Sequence, residues 1–428
     1  MATVLNPRTT EYEFLGPIGA LLISVSTPVA IYALYFGCSE VAGGCPSQIS
    51  FESVLQALSS LEWWKGLWDT EATLIYLAWY AFCVISWAVL PGDVVEGTPL
   101  RTGKRLKYKL NAFSTLLLTV GLTTGWIMAN GPESFTFIYH KWVGLVTAFL
   151  LLAFVEATYC YIGSFQQGKL LALGGNTGNV IYDWFIGREL NPSIGVFDIK
   201  TFNELRPGLI LWLLIDMSMV CEQATRRGGF ANVTDSMWLV LLFQGAYIVD
   251  SLYNEAALFT TMDVITDGFG FMLAFAIGFV PFTYSLQARY LVFHPVDLGY
   301  LGVIGVVLVN FVGYYIFRTA NAEKNDFRNG QNPKNLKFMT TARGSKLLTS
   351  GWWGRSRHPN YLGDLLMGLA WCLTTGFETP ITYYYIVFFT ILLIHRQRRD
   401  DEACYKKYGA DWVKYTKLVP YRIIPYVY

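Results

Sequence analysis

Charge is the scarcest commodity in this chain. Of 428 residues only 15% are Asp, Glu, Lys or Arg, where a soluble chain carries about a quarter. That shortfall excludes an ordinary water-soluble globule. The charges nearly cancel, to a formal +1, so composition implies neither nucleic acid nor a strongly acidic partner. There are four histidines, and none stands at metal-ligand spacing from a second His or Cys, so no metal site is expected. No Cys-x-x-Cys pair, P-loop, strand-borne G-x-G-x-x-G or H-E-x-x-H occurs. Any nucleotide must therefore bind without a Rossmann unit. Residues 1–13 are polar, and no cleavable signal peptide is evident.

What the chain has in plenty is apolar and aromatic surface: 53% hydrophobic residues, with 14 Trp and 27 Tyr, the two side chains suited to a membrane interface. About 20 apolar residues span a bilayer as a helix. That ruler predicts an all-α polytopic membrane protein of ten spans, near 14–37, 71–91, 112–130, 140–163, 207–223, 236–258, 268–286, 297–317, 361–377 and 379–395. Lys and Arg in the loops set orientation. Residues 91–111 carry five and 318–350 carry seven, against one lysine and four acids in 38–70. The N-terminus, the basic loops and the C-terminal tail are thus expected on the cytoplasmic side. The loop 259–267 breaks the bias, since its charges are Asp263 and Asp267. Cys38 and Cys45 flank a Gly-rich loop, and they are expected to pair only if it faces an oxidising compartment.

The densest reactive set lies between 318 and 428. Asn321, Lys324 and Arg328 fall at i, i+3 and i+7, one stripe of a helix. A lysine and an arginine one turn apart suit a phosphate, and they equally suit lipid headgroups. Arg396, Asp400, Cys404 and Tyr408 recur every four residues, with Lys407 alongside and Tyr415 further on. This stripe is polar where a supporting helix would be apolar. It reads as a pocket lining, with a solvated salt-bridge helix as the plain alternative. Between the two stripes lies "GWWGRSRHPNYLGD", a bent turn before the ninth span, whose tryptophans would also serve as interface anchors. A second polar set, Gln244, Tyr247, Asp250, Asn254 and Glu255, sits in or at the end of the sixth span. Tyr247, Asp250 and Asn254 share one helix face. Ionisable groups within a membrane are costly, and function is the default explanation. A helix-packing network is the competing one. The loop "GGNTGNVIYDWFIGRELNP", with Asn176, Asp183, Arg188 and Glu189, reads as ordered.

These stretches resemble the sterol reductase family, which includes the C14 and C7 sterol reductases and the membrane part of the lamin B receptor. The likeness rests on "LPGDVVEGTPLRTGKRLKYKLNAF" at 90–113, "GNTGNVIYDWFIGRELNP" at 175–192, "YIVDSLYNEAALFTTMDVITDGFGF" at 247–271, "RSRHPNYLGD" at 355–364 and "DDEACYKKYGADWVKYTKLVPYRIIPYVY" at 400–428. Within the family it is similar to the C14 reductases of methane-oxidising bacteria. The resemblance implies one integral membrane domain over 1–428, with helices of 1–230 mainly scaffold and 236–428 a catalytic half. It implies NADPH, held on the cytoplasmic side by Lys324, Arg328, Leu348, Trp353, Asn360, Tyr361, Asp400, Cys404, Lys407, Tyr408 and Tyr415. It also implies a sterol diene entering from the bilayer. The membrane is then the bacterial inner membrane or the eukaryotic endoplasmic reticulum.

The implied activity is reduction of a sterol C=C bond, most readily C14=C15. Such a bond accepts hydride only after protonation, so the site needs a positioned acid. Tyr247 and Asp400 are the expected proton-delivering pair, with tyrosine the final donor because an ordinary carboxylate is ionised at neutral pH. Three other readings remain open. Membrane methyltransferases that use S-adenosylmethionine share the Arg-His-Pro-x-Tyr-x-Gly turn and an acidic-aromatic tail. A non-catalytic sterol-binding protein would share the fold. A transporter would explain intramembrane acids but shows no inverted repeat.

Overall fold

The computed structural model describes residues 5–45 and 51–428. The chain is mainly helical, with three two-stranded hairpins among the described residues. The longer helices are α1 (Gly16–Gly37), α2 (Thr70–Val89), α3 (Ala112–Asn130), α4 (Trp142–Gly163), α5 (Pro207–Arg227), α6 (Asp235–Tyr253), α7 (Phe271–Tyr284), α8 (Leu286–Phe293), α9 (Gly299–Arg328), α10 (Pro359–Leu373), α11 (Tyr384–Tyr408) and α12 (Ala410–Leu418). All ten apolar stretches expected to span are helical. Among the described residues, seven helices are long and apolar enough to cross a membrane: Gly16–Gly37, Trp64–Val89, Ala112–Asn130, Trp142–Gly163, Asp235–Tyr253, Phe271–Phe293 and Gly299–Arg328. The other three are α5, α10 and α11, of which α10 has only 15 residues and the second half of α11 is strongly charged.

Two compact units divide the chain, Met1–Pro295 and Val296–Tyr428. In the first, α5 is the central post, buried along nearly its whole length and packed against α6, α7 and α8. Its partners interlock through aromatic rings: Phe149 of α4 stacks on Phe282 of α7 at 5.3 Å. Helix starts follow ordinary capping chemistry, as where Asp69 accepts from the Ala72 amide at 3.0 Å and Thr234 from Met237 at 3.3 Å. The outer helices expose apolar side chains, among them Ile18, Leu22, Val25 and Val29 of α1. Such a stripe is costly in water and ordinary against lipid.

The basic loop at 91–111 is an antiparallel hairpin, Asp93–Pro99 with Arg105–Leu110. Its second strand alternates Leu106, Tyr108 and Leu110 with charged residues, the period of a half-buried strand. Tyr108 faces inward and stacks on Phe259 at 4.2 Å. The anomalous acidic loop is thus the ordered surface on which the basic hairpin rests. Cys38 and Cys45 are joined in a disulfide. The Arg289 guanidinium anchors that loop, donating to the Cys38 carbonyl at 2.6 Å and lying over the Tyr35 and Tyr139 rings.

In the second unit α9 and α10 pack closely. A Cβ on Gly363 would stand 2.6 Å from the Gly313 carbonyl oxygen, and one on Gly313 would stand 2.7 Å from that of Gly363. Two backbones approach that nearly only because both residues are glycine. α11 follows α10 as a hairpin, and α12 folds back after Gly409.

Candidate functional site

In the second unit the chain between α9 and α10 is a collar, and polar contacts fix it at both ends. Glu323, buried on α9, accepts from the Trp352 amide at 2.9 Å and from Lys334 Nζ at 3.0 Å. Gly351 has φ +66°, and a Cβ there would meet the Glu323 carboxylate at 2.7 Å. At the other end the Arg357 and His358 amides donate to the carbonyls of Tyr421 and Arg422, at 2.9 and 2.8 Å. The tail of the chain is thus a wall of the same site. Arg357 pairs with Asp401 at 3.2 Å, and Asp401 also accepts from Trp412 Nε1 at 3.1 Å.

The expected cofactor residues of this unit come together in this frame. Trp353 is buried and donates from Nε1 to the Ala320 carbonyl at 2.8 Å, while Lys324 Nζ lies 4.1 Å from its ring centre. Trp353 is therefore a support for a half-buried cation rather than an interface anchor. Arg328, one turn on, is exposed, and its charge reaches both Lys324 and Asp400. Leu348 closes a short hairpin, Phe338–Thr340 with Lys346–Leu348. Cys404 and Tyr408 pack against the cluster of Trp412, Tyr415 and Val419. Lys407 Nζ sits 5.0 Å from the Tyr408 ring centre. Tyr361 stacks on His358 at 4.9 Å.

Burial sets the protonation states here. It raises the Asp400 pKa above the usual carboxylate range, with Lys324 pulling it partly back and Asp401 reinforcing the rise. It pushes the Cys404 thiol up to about 12, so Cys404 is a neutral wall and not a nucleophile. His358 is pushed down to about 3, by burial first and then by Lys324 and Arg357. Its ring stands 3.7 Å from Asp400 as a neutral imidazole. The arrangement offers two cations for phosphate oxygens, aromatic faces and one carboxyl biased toward holding a proton.

Asn360 Oδ1, Asp364 Oδ1 and Gln397 Nε2 are buried and make no hydrogen bond, an expensive state that a polar ligand relieves.

The polar set of the first unit divides into packing groups and candidates. Gln244 accepts from Trp212 Nε1 at 2.7 Å and donates to the Tyr284 carbonyl at 2.9 Å, so it ties helices together. Glu255 pairs with Arg206 at 2.8 Å and accepts from the Ala112 amide at 2.9 Å. That engagement makes Glu255 a structural tie at the start of α3. Asp263 and Asp267 belong to the ordered loop, where buried Lys200 donates to the Val264 and Asp267 carbonyls at 2.8 and 2.9 Å. Tyr247 is half-buried, 6.1 Å from Trp212, and shares its helix face with Asp250 and Asn254. In the ordered loop, buried Asp183 accepts from the Thr177 and Gly178 amides at 2.9 and 2.8 Å.

Sequence reasoning missed several groups. Glu323 and Asp401 each stand beside a chosen residue, and only the fold reveals what they hold. Glu156 within α4 accepts from Tyr80 at 2.5 Å and from Asn203 at 3.2 Å. A lone acid in an apolar run was the signal for it.

Relatives match the chain over nearly its whole length. It is 48% identical to the Delta(14)-sterol reductase of Schizosaccharomyces pombe, covering 98% of this chain and 97% of that protein. It is 45% identical to that of Saccharomyces cerevisiae, covering all of both, and 46% identical to that of Candida albicans, covering 99% of both. These relatives are fungal. Residues 8–428 match the Ergosterol biosynthesis ERG4/ERG24 family, and the chain belongs to that family.

Proposed function

We propose that this protein is a delta-14 sterol reductase of sterol biosynthesis, reducing C14=C15 of a delta-8,14 sterol. The observation that carries the reading is the near-complete coverage of relatives that bear that name. The relatives named above all bear the Delta(14)-sterol reductase name, and none of them supports the methyltransferase, C7 reductase or transporter readings.

The chemistry that NADPH supplies when bound is a hydride for a cationic carbon. Lys324 and Arg328 hold the phosphates, including the third phosphate that separates NADPH from NADH. Leu348, Trp353, Asn360, Tyr361, Cys404, Lys407, Tyr408 and Tyr415 line the remainder. The substrate alkene is unactivated, so a proton is delivered first, at C15. That leaves a tertiary cation at C14, which the neighbouring C8 double bond stabilises. Proton delivery is assigned to Tyr247 in the first unit and to Asp400 in the second, with tyrosine the final donor and the Asp400 carboxyl biased by burial toward the protonated form. The sterol enters sideways from the lipid, and membrane lipids surround the spanning helices. The cofactor side is cytoplasmic in this reading, which the excess of Lys and Arg in the loops at 91–111 and 318–350 supports.

Purified protein incubated with a delta-8,14 sterol and NADPH is expected to give the C14-saturated product by mass spectrometry. Tight S-adenosylmethionine binding with no response to NADPH would remove the reading.

A further inference from the structure

Asn360 and Asp364 stand four residues apart on α10 (Pro359–Leu373) and so occupy one helix face. Oδ1 of each is buried, and neither makes a hydrogen bond. The helix between them is packed tightly, because Gly363 lies against the backbone of α9 with no room for a Cβ. Asp364 is also close to the proposed cofactor residues, since Arg396 acts electrostatically on both Asp364 and Asp400.

Two buried acceptors one turn apart demand a donor. Their lone pairs repel phosphate oxygens, so the phosphates belong to Lys324 and Arg328 and not to this face. A dinucleotide has two primary amino groups, the carboxamide NH2 of nicotinamide and the 6-amino group of adenine. Each carries two N–H bonds and can be shared between two acceptors.

We propose that Asn360 and Asp364 together receive an amino group of the bound dinucleotide, which makes Asp364 a recognition residue beyond those implied by family resemblance. This rests on the NADPH reading of the site. Asp364 acts here through binding and takes no part in proton delivery.

The test is equilibrium binding to the purified full chain, read by tryptophan fluorescence. The ligands are NADPH, its reduced 3-acetylpyridine analogue, which lacks the carboxamide NH2, and its hypoxanthine analogue, which lacks the 6-amino group. Wild type is expected to bind one analogue about tenfold more weakly than NADPH, the effect of losing one good buried hydrogen bond. Asp364→Ala is expected to bind NADPH and that analogue alike. Asp364→Asn, which keeps an oxygen acceptor, is expected to restore part of the preference. The analogue that loses affinity identifies the nicotinamide or the adenine end. If Asp364→Ala fails to fold, Asn360→Ala and Asp364→Asn carry the same comparison.

The proposal is overturned if wild type treats all three ligands alike, as binding through ribose hydroxyls alone would require. It is equally overturned if the variants keep the full wild-type preference. Absence of NADPH binding by wild type would instead remove the cofactor reading on which the proposal stands.

Discussion

Single residues of the second unit owe their character to burial. His358 has a depressed pKa in the fold, about 3 against an ordinary 6.5. Below pH 6.5 the unfolded chain takes up a proton that the folded chain refuses, so this group lowers stability as pH falls. The loss amounts to about 2 kcal/mol between pH 6.5 and pH 5. Well above pH 6.5 the group is neutral in both states and contributes no slope. Thermal unfolding of His358→Gln should therefore fall less steeply than wild type between pH 6.5 and pH 5, and match its slope above pH 7. Tyr247→Phe should abolish turnover while NADPH affinity stays nearly intact; unchanged turnover would take Tyr247 out of the acid role. In Lys324→Ala/Arg328→Ala the preference for NADPH over NADH should fall about tenfold or more in a binding assay, because charge-assisted hydrogen bonds to the third phosphate are lost.

At the scale of elements, close helix approach decides the site. The α9–α10 contact through Gly313 and Gly363 sets the height of the collar and of the first turns of α10. Gly363→Leu should drive the helices apart and destabilise by about 1–3 kcal/mol or more, read as a lower unfolding temperature and weakened NADPH binding together. Much of this level was legible in the sequence. All ten apolar stretches are helical, and the Lys324/Arg328 and Asp400–Tyr408 stripes lie in one unit with the Trp353 turn between them. What was not legible depended on contacts distant in sequence. The hairpin at 93–110 announced itself only by its alternation, outweighed by its charge. Glu255 belongs to a polar set that its sequence leaves open between function and packing, and only the fold brings Arg206 and the Ala112 amide onto its carboxylate. The tail at 421–428 carried no pattern that foretold its pairing with Arg357 and His358.

At the scale of the whole molecule, a chain poor in charge and rich in aromatic residues combines seven helices fit to cross a membrane with a polar, cation-bearing site in its second unit. Membership in the ERG4/ERG24 family gives that combination its chemistry. The central claim is that this chain removes the C14=C15 double bond of a sterol. Its most direct measurement is expression in a yeast strain that lacks its own C14 reductase, with the sterols read by mass spectrometry. The account predicts loss of the accumulated delta-8,14 sterols and appearance of C14-saturated products, abolished by Tyr247→Phe. Unchanged delta-8,14 sterols despite full expression, or reduction at C7 instead, would contradict it.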